Sequence, residues 1–86
     1  MKLYFSVWGY CDPSRVGYDT VGVTYHREKP SVYAGIGSAS VYSTEIPDTY
    51  TQEEADEIGK AAAEIMEERR DVDPARIVRE VIAARN

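Results

Sequence analysis

Two side chains that could act as a base or a nucleophile each occur once in the 86 residues: His26 and Cys11. An imidazole exchanges protons near neutral pH, and a thiol beside it could become a nucleophile. However, a lone histidine flanked by Tyr25 and Arg27 next to a turn is more often a solvated surface group than a catalytic base. The sequence also shows no group that would activate the Cys11 thiol. We therefore expect no enzyme, and we keep a small-ligand-binding protein or thiol-dependent enzyme that uses Cys11 and His26 as the least favoured alternative.

Phosphate and metal sites find little support in the sequence. Gly35 and Gly37 lie in a strand-like stretch that lacks the third glycine and the lysine of a phosphate-binding loop. The acidic residues do not follow the spacing of a calcium loop, and a single histidine and a single cysteine do not make a zinc site. We expect neither a cofactor nor a metal ion.

The cellular compartment is suggested by cysteine usage and by the absence of long apolar runs. One cysteine excludes an internal disulfide and suits a reducing compartment. No apolar run approaches the length of a membrane span, and the first ten residues lack the apolar core of a signal peptide. These features predict a cytoplasmic protein without a membrane partner.

Apolar and polar residues alternate through the first half of the chain, as they do in half-buried strands. Turn-forming residues at 11–15 and 28–31 separate three alternating segments. After Gly37 the alternation slips by one residue, which is typical of a β-bulge or a bend. We predict an antiparallel β-meander over residues 1–43, with three strands, or four if the chain after Gly37 forms its own strand. The apolar residues assigned to one sheet face are Leu3, Phe5 and Val7, then Val21, Val23 and Tyr25, then Val32, Ala34 and Ile36.

The second half of the chain has the period and the end signals of two helices. Thr51 and Glu54 have the spacing of a capping box, which predicts a helix over 51–70. Gly59 interrupts this helix and would allow its backbone to lie close to a sheet. Asp73 followed by Pro74 predicts a second helix over 74–85. With both helices covering the apolar sheet face, residues 1–86 form a single α+β domain, a two-layer sandwich.

The opposite sheet face carries an unusual number of aromatic residues. The chain has seven tyrosines and one tryptophan, and rigid rings with a polar tip are typical of protein-recognition surfaces. Exposed strands also favour Tyr and Thr for their own stability, which is the simpler interpretation. The residues that we expect to anchor a protein partner are Tyr4, Trp8, Tyr10, Tyr18 and Tyr33.

Acidic residues are concentrated in the middle of the chain. The formal net charge is −5, and residues 44–68 contain nine acidic residues and one lysine. Most such runs are a solvated helix face. A sharper alternative is a negative ridge that fits a basic groove, with Glu53, Asp56 and Glu57 as a second contact surface. The arginines near the C-terminus would cap helices or pair with these acids.

These features favour a small, acidic, non-catalytic module that binds a protein partner. Its size and charge suit an inhibitor or adaptor of the phage or mobile-element type. A homodimeric structural domain, in which the aromatic face meets a second copy, is the alternative. Direct nucleic-acid binding is not expected, because the net charge is negative and the predicted binding face offers His26 as its only cation.

Overall fold

The sequence folds into one antiparallel sheet followed by two helices, so the predicted α+β class is confirmed. A computed structural model describes residues 1–11, 18–30 and 38–85, with side chains throughout these ranges except at 8–11, 18–21 and 38–39. The elements in chain order are β1 (Lys2–Cys11), β2 (Tyr18–His26), β3 (Ser38–Glu45), α1 (Gln52–Arg69) and α2 (Pro74–Arg85).

The order of the strands differs from the predicted meander. The described strands lie in the order β2-β1-β3, and β1 pairs antiparallel with both neighbours. Phe5, for example, lies between Tyr25 of β2 and Tyr42 of β3. Strands next to each other in sequence usually pair, which favoured the meander. The alternation of side chains, however, determines which face a residue occupies and does not identify its neighbouring strand.

The third strand lies later in the chain than the third apolar segment. β3 comprises the residues after Gly37, while Val32, Ala34 and Ile36 lie outside the described residues. The register also places the apolar Val41 opposite Ser6, on the sheet face that the helices do not cover. Tyr42 is opposite Phe5 on the covered face. In β3, the residues that face the helices are therefore Ser40, Tyr42 and Thr44, each of which carries a hydroxyl group.

α1 begins with the capping geometry that its sequence indicates. The Glu54 amide donates to Thr51 Oγ1 at 3.2 Å, and the Thr51 amide donates to Glu54 Oε1 at 3.0 Å. This reciprocal capping box satisfies amides that have no partner within the helix. The helix stops at Arg70, which adopts a left-handed conformation with φ 54°.

The hydrophobic core lies between the sheet and the two helices. α1 packs mainly on β2, and α2 packs on α1 and on β3. Leu3 and Phe5 are completely buried, because β1 is flanked by a strand on each side and covered from one face. The buried apolar residues are Leu3, Phe5, Val23, Ile46, Ala55, Ile58, Ala62, Ala63, Met66, Ile77, Val78 and Val81.

At Gly59 the backbone of α1 lies close to the sheet, as the sequence suggested. A Cβ atom at this position would lie 2.3 Å from Cδ1 of Tyr25. The ring of Tyr25 therefore occupies the space that any larger residue at position 59 would fill. The same ring packs against Phe5, with 5.9 Å between ring centroids and a tilt of 54°.

Candidate protein-binding surface

The helices cover one face of the sheet and leave the opposite face uncovered by any described element. All three buried strand residues, Leu3, Phe5 and Val23, lie on the helix side. The residues that alternate with them are half-buried or exposed. Lys2 and Glu45, opposite each other, lie at one end of this face. We call the six residues between them and the middle of the sheet the outer face: Tyr4, Ser6, Thr24, His26, Val41 and Ser43.

The outer face is a continuous, mostly uncharged surface across three strands. Tyr4 lies between His26 and Ser43, and Ser6 lies between Thr24 and Val41 in the register. Directly opposed residues in an antiparallel sheet lie within side-chain contact. A half-buried tyrosine beside small hydroxyl residues and a valine combines apolar area with hydrogen-bonding groups, as protein-recognition surfaces do.

Ser6 and His26 form a hydrogen-bonded pair on this face. Their Oγ and Nε2 atoms are 2.8 Å apart. A hydroxyl and an imidazole are two of the three parts of a nucleophilic triad, in which a carboxylate orients the imidazole. No carboxylate among the described residues hydrogen-bonds to His26. The pair therefore links two neighbouring strands.

Cys11 and His26 are not brought together. His26 lies opposite Tyr4, whereas Cys11 is seven residues further along β1 and lies opposite Tyr18. At about 3.3 Å per residue, the backbone positions of the two are separated by roughly 23 Å. The structure therefore gives no support to a site that uses both residues.

Of the five predicted aromatic anchors, the structure describes the side chain of Tyr4. The backbones of Trp8, Tyr10 and Tyr18 belong to β1 and β2, with Trp8 opposite Gly22 and Tyr10 opposite Thr20. Tyr33 lies outside the described residues. The roles of these four residues stay predictions.

Asp56, predicted as part of an acidic binding surface, binds residues of its own chain, and its contact with a partner stays a prediction. Its Oδ1 accepts from the Tyr25 hydroxyl at 2.9 Å and from Gln52 Nε2 at 2.9 Å. The Arg27 guanidinium approaches both carboxylate oxygens, with Nε 3.1 Å from each. The Asp56 side chain is 15% exposed, so little of it can reach a partner.

The electrostatics of this cluster agree with its geometry. The hydrogen bonds from Arg27 are the main cause that lowers the pKa of Asp56 to about 2. Burial, followed by the hydrogen bond to Asp56, raises the pKa of Tyr25 to about 12. At neutral pH the cluster therefore contains an ionised Asp56 and a neutral Tyr25, which is the state that the hydrogen bond requires.

The other acidic residues of α1 differ in their availability. Glu57 pairs with Arg85 at 3.0 Å, and Arg85 also approaches Glu54 at 3.9 Å. Glu53 is exposed. The Arg85–Glu57 pair is of the kind expected between C-terminal arginines and the acidic segment. Arg69 pairs with Glu80, outside that segment, at 2.7 Å.

Glu67 makes a contact that sequence reasoning missed. Its Oε1 accepts a hydrogen bond from the backbone amide of Val23 at 2.7 Å, across the free edge of β2. No sequence signal distinguishes Glu67 from the adjacent acidic residues. The Asp56 cluster had a partial signal, since Tyr25 and Arg27 share one side of a strand and Gln52 and Asp56 are one helical turn apart.

Within residues 1–11, 18–30 and 38–85, no group of three or more His, Cys, Asp or Glu side chains is arranged to hold a metal ion. In the same ranges, neither helix combines the length and the apolarity needed to cross a membrane.

Comparison with known proteins leaves the function to be inferred from the geometry of this chain. A scan against protein-family models finds no match, and searches of curated proteins and of solved structures find none either.

Proposed function

We propose that this chain is a non-catalytic protein-binding module that contacts its partner through the outer face. The observation that carries the proposal is the one-sided packing of the sheet: both helices pack on the side of Leu3 and Phe5. Tyr4, Thr24 and Val41 remain on the side that no described element covers. An uncovered surface with aromatic, aliphatic and hydroxyl groups favours a protein ligand over a polyanion, which would require a cationic groove.

The exposed part of α1 would influence how the partner approaches. Glu53 and Glu64 are exposed, whereas Asp56 is occupied by Arg27 and Tyr25. Charges outside a contact surface mainly change the rate of association. In this proposal Glu53 steers a partner that carries basic groups, and Asp56 stabilises the fold.

An inhibitor or adaptor of the phage or mobile-element type is the role that the small size and acidity of the chain suit best. We place it in the cytoplasm, because a lone cysteine suits a reducing compartment. Both assignments extend the proposal for the outer face and depend on the identity of the partner.

The proposal is tested with a substitution in the middle of the outer face and a matched control. Thr24 is exposed and lies opposite Ser6, so Thr24→Arg adds a large cation to the surface without disturbing the core. Ala83→Arg adds the same charge to an exposed position of α2. The wild-type chain is used to capture and identify a partner, and calorimetric titration of the purified partner then compares the variants.

We expect Thr24→Arg to weaken binding by about 10-fold or more, equivalent to about 1.4 kcal/mol, and Ala83→Arg to bind like the wild type. Equal affinity of Thr24→Arg and the wild type would exclude the outer face as the contact surface.

A homodimer is the second candidate function, and one specific observation favours it. The β2 edge of the sheet is covered by Glu67, whereas no described element pairs with the β3 edge.

A further inference from the structure

We propose that two copies of this chain pair through the free edges of their β3 strands, forming a continuous antiparallel sheet with three strands from each copy. This interface uses the outward-directed backbone groups of β3, including those of Val41 and Ser43, and leaves the outer-face side chains of Tyr4, Ser6, Thr24 and His26 accessible. The inference does not require the proposed protein-binding function. It rests on the direction of the backbone groups of β3, on the composition of β3, and on the different contacts at the two edges of the sheet.

The hydrogen bonds where β1 and β3 begin to pair determine which residues of β3 direct their backbone groups outward. Met1 and Ile46 exchange two backbone hydrogen bonds, of 2.9 and 3.0 Å. Hydrogen-bonded pairs alternate along an antiparallel ladder, so the next two are Leu3 with Thr44 and Phe5 with Tyr42. The residues between them direct their N–H and C=O groups away from β1, toward the free edge. These outward-directed residues are Ala39, Val41, Ser43 and Glu45.

Most of β3 lacks the usual protection against edge pairing. Soluble proteins commonly block an exposed edge with charged residues, proline or a bulge. Ser38 to Thr44 contains no charged residue, proline or glycine, and the register with β1 is regular throughout. The strand ends at the charged Glu45. The molecule has a net charge of −5, so the uncharged stretch before Glu45 is a place where two acidic copies can approach without direct repulsion.

The opposite edge of the sheet is closed. The Val23 amide, which faces outward from β2, donates to Glu67 of α1 at 2.7 Å. The Tyr25 and Arg27 contacts with Asp56 hold the same helix against β2. Within the part of the chain that the structure describes, one edge is covered at Val23 and the other is open, which favours a two-fold pair over continued addition of strands.

The side chains of β3 favour a pair centred on Tyr42. With Tyr42 opposite Tyr42 of the second copy, Val41 lies opposite Ser43 and Ala39 lies opposite Glu45. This register keeps both helix layers on one side and both outer faces on the other. It also brings the two tyrosines together as a close cross-strand pair. Tyr42 faces the helix side but is 42% exposed, so α2 leaves room along this edge for a neighbour.

The occupant that best fits this edge is a second copy of the chain. When β3 pairs antiparallel with β3 of a second copy, the two strands have equal length and run in opposite directions. Glu45 of each copy then lies away from the other Glu45. Outward-directed backbone groups of one copy then meet the corresponding groups of the other. An unrelated peptide strand would use the same backbone groups but would not require two copies of Tyr42.

The test uses light scattering behind size exclusion over a wide concentration range, with variants matched at one residue. The Ser43 amide is directed outward, so Ser43→Pro removes an interchain donor and leaves the pairing with β1 intact. Ser43→Ala retains the amide. Tyr42→Lys places two like charges at the centre of the pair, and Thr24→Arg alters the outer face alone. Circular dichroism confirms that each variant is folded.

We expect wild type, Ser43→Ala and Thr24→Arg to have the mass of two chains. We expect the dimers of Ser43→Pro and Tyr42→Lys to dissociate at concentrations about 10-fold higher than the wild-type dimer does, or more. A monomeric wild type at every concentration would overturn the proposal, and so would a dimer that Ser43→Pro leaves unchanged. A dimer disrupted by Thr24→Arg but not by Ser43→Pro would assign the contact to the outer face instead. Because Thr24→Arg tests the partner surface and Ser43→Pro tests the edge, the two proposals fail separately.

Discussion

Tyr25 joins the sheet to the first helix through both its ring and its hydroxyl group. The ring lies over Gly59 and beside Phe5, and the hydroxyl donates to Asp56. Arg27, the residue after the end of β2, binds the same carboxylate. Tyr25, Arg27 and Asp56 thus combine close packing with a charge-assisted hydrogen bond, which is stronger than a neutral one.

The contact at Gly59 predicts an unusual response to a helix-favouring substitution. Gly59→Ala should raise intrinsic helix stability by about 1 kcal/mol, but its Cβ would overlap the Tyr25 ring. We expect a net loss of about 1–3 kcal/mol in the free energy of unfolding, measured by urea denaturation. In a Tyr25→Ala background the same substitution should be neutral or stabilising. If Gly59→Ala stabilises the chain that retains Tyr25, the described contact is wrong.

The raised pKa of Tyr25 predicts that its hydroxyl group loses its proton at a higher pH than an ordinary tyrosine does. Because its pKa is raised to about 12, above the value near 10 of an unfolded tyrosine, its contribution to stability is complete below pH 10. That contribution is lost as the pH rises through 12. The phenolate absorbance of wild type minus that of Tyr25→Phe should show a step near pH 12. A step near pH 10 would show that the hydroxyl is solvated.

Asp56 predicts the opposite pH dependence. Its pKa is lowered to about 2 by the hydrogen bonds from Arg27, below the value near 3.9 of an unfolded aspartate. Its contribution to stability is therefore present above about pH 4 and is lost as the pH falls toward 2. Urea denaturation at a series of acidic pH values should show a smaller loss of stability in Asp56→Asn than in wild type. Identical pH profiles would contradict the ion pair.

At the scale of elements, the helices were predictable from local signals and the sheet was only partly so. Thr51, Glu54 and Asp73 mark helix starts through their own side chains, so their spacing in sequence is informative. In β3, by contrast, Tyr42 faces the helices and the apolar Val41 faces away, which reverses the apolar alternation. The position of β3 beside β1 depends on contacts between distant segments, and no local pattern encodes it.

In the candidate site, too, some features follow from local sequence patterns and others depend on contacts between distant segments. The alternation of β1 and β2 assigned Tyr4 and His26 to the uncovered face, because period-two patterns identify faces. The internal role of Asp56 was not predictable from α1, since Arg27 and Tyr25 reach it from a different strand.

The capping box predicts how strongly the start of α1 depends on one hydroxyl. Thr51→Ala removes the acceptor of the Glu54 amide, and we expect a loss of about 1 kcal/mol. For a domain of this size, that corresponds to a decrease of about 4–8 °C in Tm. Thr51→Ser retains the hydroxyl and should melt near the wild-type temperature. A similar decrease in both variants would show that the methyl group, and not the hydroxyl, is responsible.

At the scale of the whole molecule, the two sheet edges have different properties. The β2 edge is covered by Glu67 at Val23, and β3 has outward-directed backbone groups along a strand that is uncharged up to Glu45. Together with an outer face opposite the helices, this arrangement gives the chain two separate surfaces: an edge for a second copy and a face for a protein partner.

Opening the β2 edge should change the extent of self-association. Glu67→Ala removes the acceptor of the Val23 amide, so we expect particles larger than a dimer as concentration increases. Glu67→Gln retains a side-chain oxygen and should resemble wild type. Light scattering distinguishes the two, and an unchanged mass for Glu67→Ala would show that α1 blocks this edge without the hydrogen bond.

The most direct test of the protein-binding proposal is a map of amide chemical shifts upon addition of the captured partner. The chain is small enough for each backbone amide to be followed individually. The outer face predicts the largest changes at Tyr4, Ser6, Thr24, Val41 and Ser43, with Ile77 and Val81 of α2 unaffected. Changes confined to α1 or α2, with the outer face unperturbed, would contradict the proposed binding surface.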